Sequence, residues 1–152
     1  MKSFTFFIPG QPKGQGRSRS RMDRPGHYPD PKSAKLQSSI AWIAHNAMKG
    51  MPPVEGPVML KIRAVSRRPA SWPKRRQTEY WKISKPDLDN IEKLLLDGLN
   101  RVAWLDDAQV CKVDKEKHYG DTEGVFVTVT ELTICQTSGN VVKMMEVKFC
   151  PA

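Results

Sequence analysis

The sequence contains no long apolar run. Nothing in its 152 residues approaches the ~18 apolar residues of a membrane span, so no membrane role is expected. The run from Phe4 to Ile8 is stopped by Pro9 and is too short for a signal peptide. Cysteine is scarce: Cys111, Cys135 and Cys150 are an odd number with no CxxC spacing. That speaks against a disulfide framework or a cysteine zinc site, and suits reduced thiols in a cytoplasmic protein. The histidines His27, His45 and His118 are scattered without zinc spacing. There is no internal repeat, no glycine-rich phosphate loop and no serine–histidine pair. Acids are scarce in the first part: residues 1–86 hold 18 Lys/Arg against 4 Asp/Glu. Residues 87–152 reverse the balance, with 7 against 12.

What is present suits one soluble globular domain over residues 1–152, with 39% apolar and 27% charged residues. The net charge of +9, concentrated in the first half, suggests a phosphate backbone as partner. An acidic patch in such a protein repels that same partner. Bound divalent cations would remove the conflict.

Lys2 to Ile8 reads as a short strand, rich in aromatic and β-branched residues. About residues 9–31 form a long basic arm of Gly, Pro, Ser and Arg, with Lys13, Arg17, Arg19, Arg21 and Arg24. Two readings stand: a solvated linker, or a nucleic-acid contact arm that orders on binding. Ser33 to Lys49 is expected to be a helix, with Leu36, Ile40, Ile43, Ala44 and Ala47 at helical spacing and Gly50 beyond its end. Trp42 and His45 on it are expected to pack. Residues 58–65 alternate as a strand with one wetter face. Residues 67–85 interleave Arg67, Arg68, Lys74, Arg75 and Arg76 with Trp72, Tyr80 and Trp81. This suits phosphate contacts and base stacking, or rings that anchor a short helix.

The next segment, KPDLDNIEKLLLDGLNRVAWLDDAQ from Lys85 to Gln109, carries the chemistry. Leu88, Ile91, Leu95, Leu99 and Val102 form one apolar stripe of a helix. Asp89, Lys93 and Asp97 share another face. Asp87 and Asp89 would point about 200° apart in mid-helix. Pro86 disfavours helix at Lys85, so the helix starts near these acids and they can converge. The plain alternative makes Asp89 a capping residue with Glu92 in a capping box, and Lys93 half of a surface ion pair with Asp89. Asp106 and Asp107 add a second acidic pair. Together the acids suit magnesium, which takes one or two carboxylates plus waters and substrate phosphate. Lys93 could then add charge stabilisation. Strands over Val110 to Tyr119, Val125 to Thr130 and Val141 to Phe149, with a turn at Ser138 to Asn140, are expected to make a meander.

KPDLDNIEK followed by LDDAQV strongly resembles the RusA family of Holliday junction resolvases, metal-dependent crossover junction endodeoxyribonucleases common in phages and prophages. The likeness is specific over Lys85–Lys117 and extends to GVFVTVTEL. At the start, IPGQPKGQGRSR and YPDPKS look like the basic arm of phage members. The resemblance implies catalytic acids at Asp87, Asp89 and Asp107, which would also be the metal ligands, with Asp106 an additional candidate ligand. It implies a catalytic lysine at Lys93 and a basic strand position at Lys117. It further implies a homodimer, an α+β fold and Mg2+ or Mn2+. Two departures stand out. The connection before Asp106 is about one residue short and lacks the family's usual glycine. The chain also runs on through an extension of about residues 135–152.

The resulting expectation is a single α+β domain with a mixed sheet and two main helices. It would resolve four-way DNA junctions by paired nicks, in recombination, repair or phage DNA processing. The DNA contacts would come from Lys13, Arg17, Arg19, Arg21, Arg67, Arg68, Lys74, Arg75, Arg76 and Lys117. A broader nuclease for forks or flaps, and a DNA-binding protein without activity, remain as alternatives.

Overall fold

The structure, a computed structural model, describes residues 2–16, 19–21, 24–28, 30–72 and 80–133. The expected third strand over Val141 to Phe149 and its preceding turn lie outside the described residues. The elements are β1 (Ser3–Pro9), β2 (Arg19–Arg21), β3 (Arg24–Tyr28), α1 (Pro31–Met48), β4 (Val58–Arg67), β5 (Tyr80–Trp81), α2 (Leu88–Leu99), a 3-10 turn (Asp107–Gln109), β6 (Val110–Gly120) and β7 (Gly124–Glu131). This is the expected α+β class: a five-stranded mixed sheet in the order β1-β7-β4-β6-β5, with two helices.

Alternation along the strands decides which face the helices cover. Phe4 and Phe6 sit opposite Val129 and Val127, which sit opposite Leu60 and Ile62. All six belong to one buried cluster with Ile40 and Ala44 of α1 and Ile91, Leu95 and Leu99 of α2. Truncating one such leucine costs about 2–5 kcal/mol in comparable cores. The other face is mixed, with the Phe7 and Phe126 rings 4.7 Å apart among polar and charged side chains. There Thr5 and Thr128 hydroxyls lie 3.0 Å apart, and Lys61 and Arg63 pair with Asp114 and Glu116 across the sheet at 4.0 and 3.4 Å.

Several expectations need correction. The strands do not form a meander: β6 runs parallel to β4, and β7 pairs antiparallel to the other side of β4. A strand flanked on both sides is drier than the alternation suggested, so Met59 and Val65 are buried as well. The connection from β4 to β6, which carries α2, is therefore the crossover of a βαβ unit. Trp42 and His45 do not pack; Trp42 is 68% exposed. It stands two residues from buried Ile40, about 200° round the helix. Part of the long arm is a two-stranded hairpin of β2 and β3. No short helix is seen among the described residues of 67–85, which instead contribute the edge strand β5.

The two helices meet at Gly98. A Cβ there would lie 3.1 Å from Ile40 Cγ2 and 3.3 Å from the Gln37 backbone. Only glycine lets α1 approach that closely without repacking. The same contact brings the Gln37 amide over α2. At the start of α1, the Asp30 carboxylate accepts from Ser33 N–H at 3.2 Å, an N-cap.

Candidate active site

Asp87 is the N-cap residue of α2, with extended backbone at φ −74° and ψ 147°. Its side chain makes no capping bond, so the carboxylate is left to solvent. The alternative capping box of Asp89 and Glu92 does not form: Asp89 lies inside the first turn, and Glu92 is ion-paired with Lys115 of β6. Both acids sit where the positive end of the helix dipole favours negative charge. Neither has a hydrogen-bond or ion-pair partner among the described residues. Lys93, one turn on, is exposed and forms no ion pair with Asp89 there.

The second acidic pair splits into two jobs. Asp106 caps the 3-10 turn: its carboxylate accepts from Ala108 N–H at 2.8 Å, and Gln109 Oε1 accepts from Asp106 N–H at 2.8 Å. Gln109 Nε2 donates to the carbonyls of Val54 and Gly56 at 3.0 Å, which ties the turn to the loop before β4. Asp107 is held from beneath. The fully buried Trp104 donates its indole N–H to Asp107 Oδ1 at 2.8 Å. Between α2 and this turn, Arg101 takes a left-handed conformation at φ 63°, in the connection where a glycine was missed.

Asp97 joins the site although the sequence reading gave it no role. Burial raises its pKa; the Lys93 ammonium opposes that shift and the Asp107 carboxylate adds to it. Asp97 therefore feels the charges of both Lys93 on its own helix and Asp107 on the following turn. Gln37 Nε2 donates to Asp97 Oδ2 at 3.2 Å and fixes that carboxylate from α1. The signal was available: Asp97 follows Asp89 and Lys93 at four-residue steps. The Asp106–Gln109 box was equally legible as D-x-x-Q.

Among the described residues, no three His, Cys, Asp or Glu side chains converge into a preformed cation cage. The donor set still suits a hard divalent cation. Among the described residues, Asp87 and Asp89 are oxygen donors without hydrogen-bond or ion-pair partners, and Asp107 receives only the indole N–H. Magnesium needs only one or two carboxylates, with water and substrate phosphate completing its shell.

The basic residues divide as well. The arm crosses the first turn of α2, where Gln15 N–H donates to Asn90 O at 2.8 Å, and Lys13 on it is exposed. Arg67 is exposed, while Arg68 pairs with Asp121 at 3.2 Å. Lys117 points inward: its ammonium donates to the carbonyls of Ser84 and Pro86 at 3.0 and 2.9 Å. It thereby fixes the chain just before Asp87. Arg19 and Arg21 lie on β2. Arg17, Lys74, Arg75 and Arg76 fall outside the described residues.

Comparison with known proteins gives two findings. A family model described as endodeoxyribonuclease RusA matches residues 9–130. The uncharacterized protein YqaN of Bacillus subtilis (strain 168) is 28% identical over 142 residues, covering 88% of this chain and 99% of that one.

Proposed function

Since the chain belongs to the RusA endodeoxyribonuclease family, we propose that it cuts branched DNA, four-way junctions above all, by metal-dependent phosphodiester hydrolysis. The supporting observation is the pair of carboxylates at the start of α2, Asp87 and Asp89, which have no hydrogen-bond or ion-pair partner among the described residues, on the helix whose Asp97 feels the charge of Asp107. Asp87, Asp89 and Asp107 would hold Mg2+ or Mn2+. The ion would supply a water activated at neutral pH and charge neutralisation on the phosphate. The chain's own groups do the rest. Lys93 offers an exposed ammonium to the charge that develops on the phosphoryl oxygens. Trp104 and Gln37 hold Asp107 and Asp97 in place. Lys117 fixes the approach to Asp87.

The working unit in this reading is a two-fold homodimer. Each chain offers one such acidic site, and a junction is resolved by two nicks placed symmetrically about its crossover. Closed two-fold symmetry is also the commonest oligomer arrangement. The decisive experiment incubates the protein and Mg2+ with a four-way junction, a fork, a flap and a linear duplex. Paired nicks on the junction alone are expected. Equal cutting of forks and flaps would replace junction resolution with a broader nuclease. Binding without nicking in Mg2+ or Mn2+ would make it a DNA-binding protein.

A further inference from the structure

Immediately before Asp87, three side chains from two segments converge: Lys82 and Ser84 after β5, and Tyr119 on β6. Ser84 Oγ and Tyr119 Oη lie 3.0 Å apart. The Lys82 ammonium donates to Ser84 Oγ at 2.8 Å and to Tyr119 Oη at 3.4 Å, and stands 4.7 Å from the centre of the Tyr119 ring. Lys117 closes the base of the group through the carbonyls of Ser84 and Pro86.

The charge balance here is unusual for this sheet. Lys61, Arg63, Arg68 and Lys115 each face a carboxylate. Lys82 and Lys117 face only hydroxyls and carbonyls among the described residues. Two ammonium groups beside two hydroxyls, with no acid paired to them among the described residues, make a site suited to an anion. With Ser84 Oγ donating to Tyr119 Oη, the phenol is free to turn its own proton outward to one. The Ser84 hydrogen bond and the two lysines also lower the Tyr119 pKa, which makes that hydroxyl a stronger donor.

We propose that Lys82, Ser84 and Tyr119 bind one DNA phosphodiester next to the scissile one. The inference rests on the DNA-cleaving reading above and adds to it a subsite and its register. Ser84 stands three residues before Asp87, so a phosphate held there sets which neighbour along the strand reaches the acids. A purely structural role, tying the β5 edge to β6, is the competing account of the same contacts.

The test measures junction binding by fluorescence anisotropy across a salt series, in Ca2+ or without metal, so that cleavage plays no part. Lys82→Met should weaken binding about tenfold and flatten the salt dependence by about 0.9 in log–log slope, one phosphate contact. Lys82→Arg should restore the slope. Single methylphosphonate substitutions along the strand should reveal one position that weakens wild type but no longer weakens Lys82→Met. Ser84→Asp, on an exposed side chain, should lose binding even if the lysine variant folds poorly. A Lys82→Met or Ser84→Asp protein with the wild-type slope and methylphosphonate profile would overturn the subsite and leave the nuclease reading intact. A wild type that binds no DNA would instead bring down that reading, and the subsite with it.

Discussion

Adjacent aspartates in this chain are not equivalent. Asp106 commits its carboxylate to a backbone cap, whereas Asp107 rests on a buried indole and its charge raises the pKa of Asp97 on α2. Asp87→Asn, Asp89→Asn and Asp107→Asn are each expected to abolish cleavage while DNA binding stays or tightens, because these acids repel the backbone. Asp106→Asn keeps the cap and should keep most activity; Asp106→Ala should cost about 1 kcal/mol in denaturant melts. Lys93→Ala should slow single-turnover cleavage by more than the ~0.3–0.5 kcal/mol of a surface pair, with unchanged stability. Full rate at saturating enzyme would remove Lys93 from the chemistry. Asp97 supplies a pH test. Its folded pKa lies above the ordinary 3.8, so the folded state holds the proton more tightly than the unfolded one. The resulting stability is present below 3.8 and is lost as pH rises through the folded value. Asp97→Asn should therefore raise Tm at pH 7 without metal, and the gain should shrink toward pH 3. The sequence presented all these residues. The D-x-x-Q spacing hinted that Asp106 caps a turn, but the indole beneath Asp107 was not legible, because only the folded turn brings Trp104 Nε1 to its carboxylate.

For whole elements, periodicity was a good guide and neighbours were not. The apolar stripe of α2 was legible through Leu99, because a buried helix face must recur every three or four residues. Val102, the last residue of the expected stripe, falls in the turn after the helix. Alternation in β4 told which residues share a face but could not say which strands lie on either side. Every candidate partner strand alternates in the same way. That is why the meander was expected and a βαβ crossover found. The α1–α2 contact was hidden for a similar reason: a glycine at position 98 looks like a weak point in a helix until the second helix is laid against it. Gly98→Ala should improve helix propensity yet destabilise the protein by about 1–3 kcal/mol through overpacking against Ile40 and Gln37. Because Gln37 also holds Asp97, cleavage should fall more than the lost stability explains. A thermally stabilised Gly98→Ala would show that α1 can retreat freely.

At the scale of the molecule, the basic first half and the acidic second half meet where the arm crosses α2. The proposed dimer predicts a mass of twice 17.2 kDa by light scattering. Mixed dimers of wild type and Asp89→Asn should nick a cruciform plasmid without linearising it. Paired nicks from a monomer would sink the symmetric model. The sheet order also has a consequence in time. The strand synthesised last among the described ones, β7, is an interior strand, pairing Thr130 with Ser3 on one side and with Met59 on the other. Until Gly124 to Glu131 have emerged from the ribosome, β1 and β4 have no partner between them, although every candidate acid has already been made. Contacts spanning nearly the whole described chain are slow to form. A chain stalled before β7 would expose two open strand edges, which favour aggregation. The nuclease should thus acquire its rigid site late, as one step with closure of its sheet, so that hydrogen exchange during refolding protects β7 and α2 together.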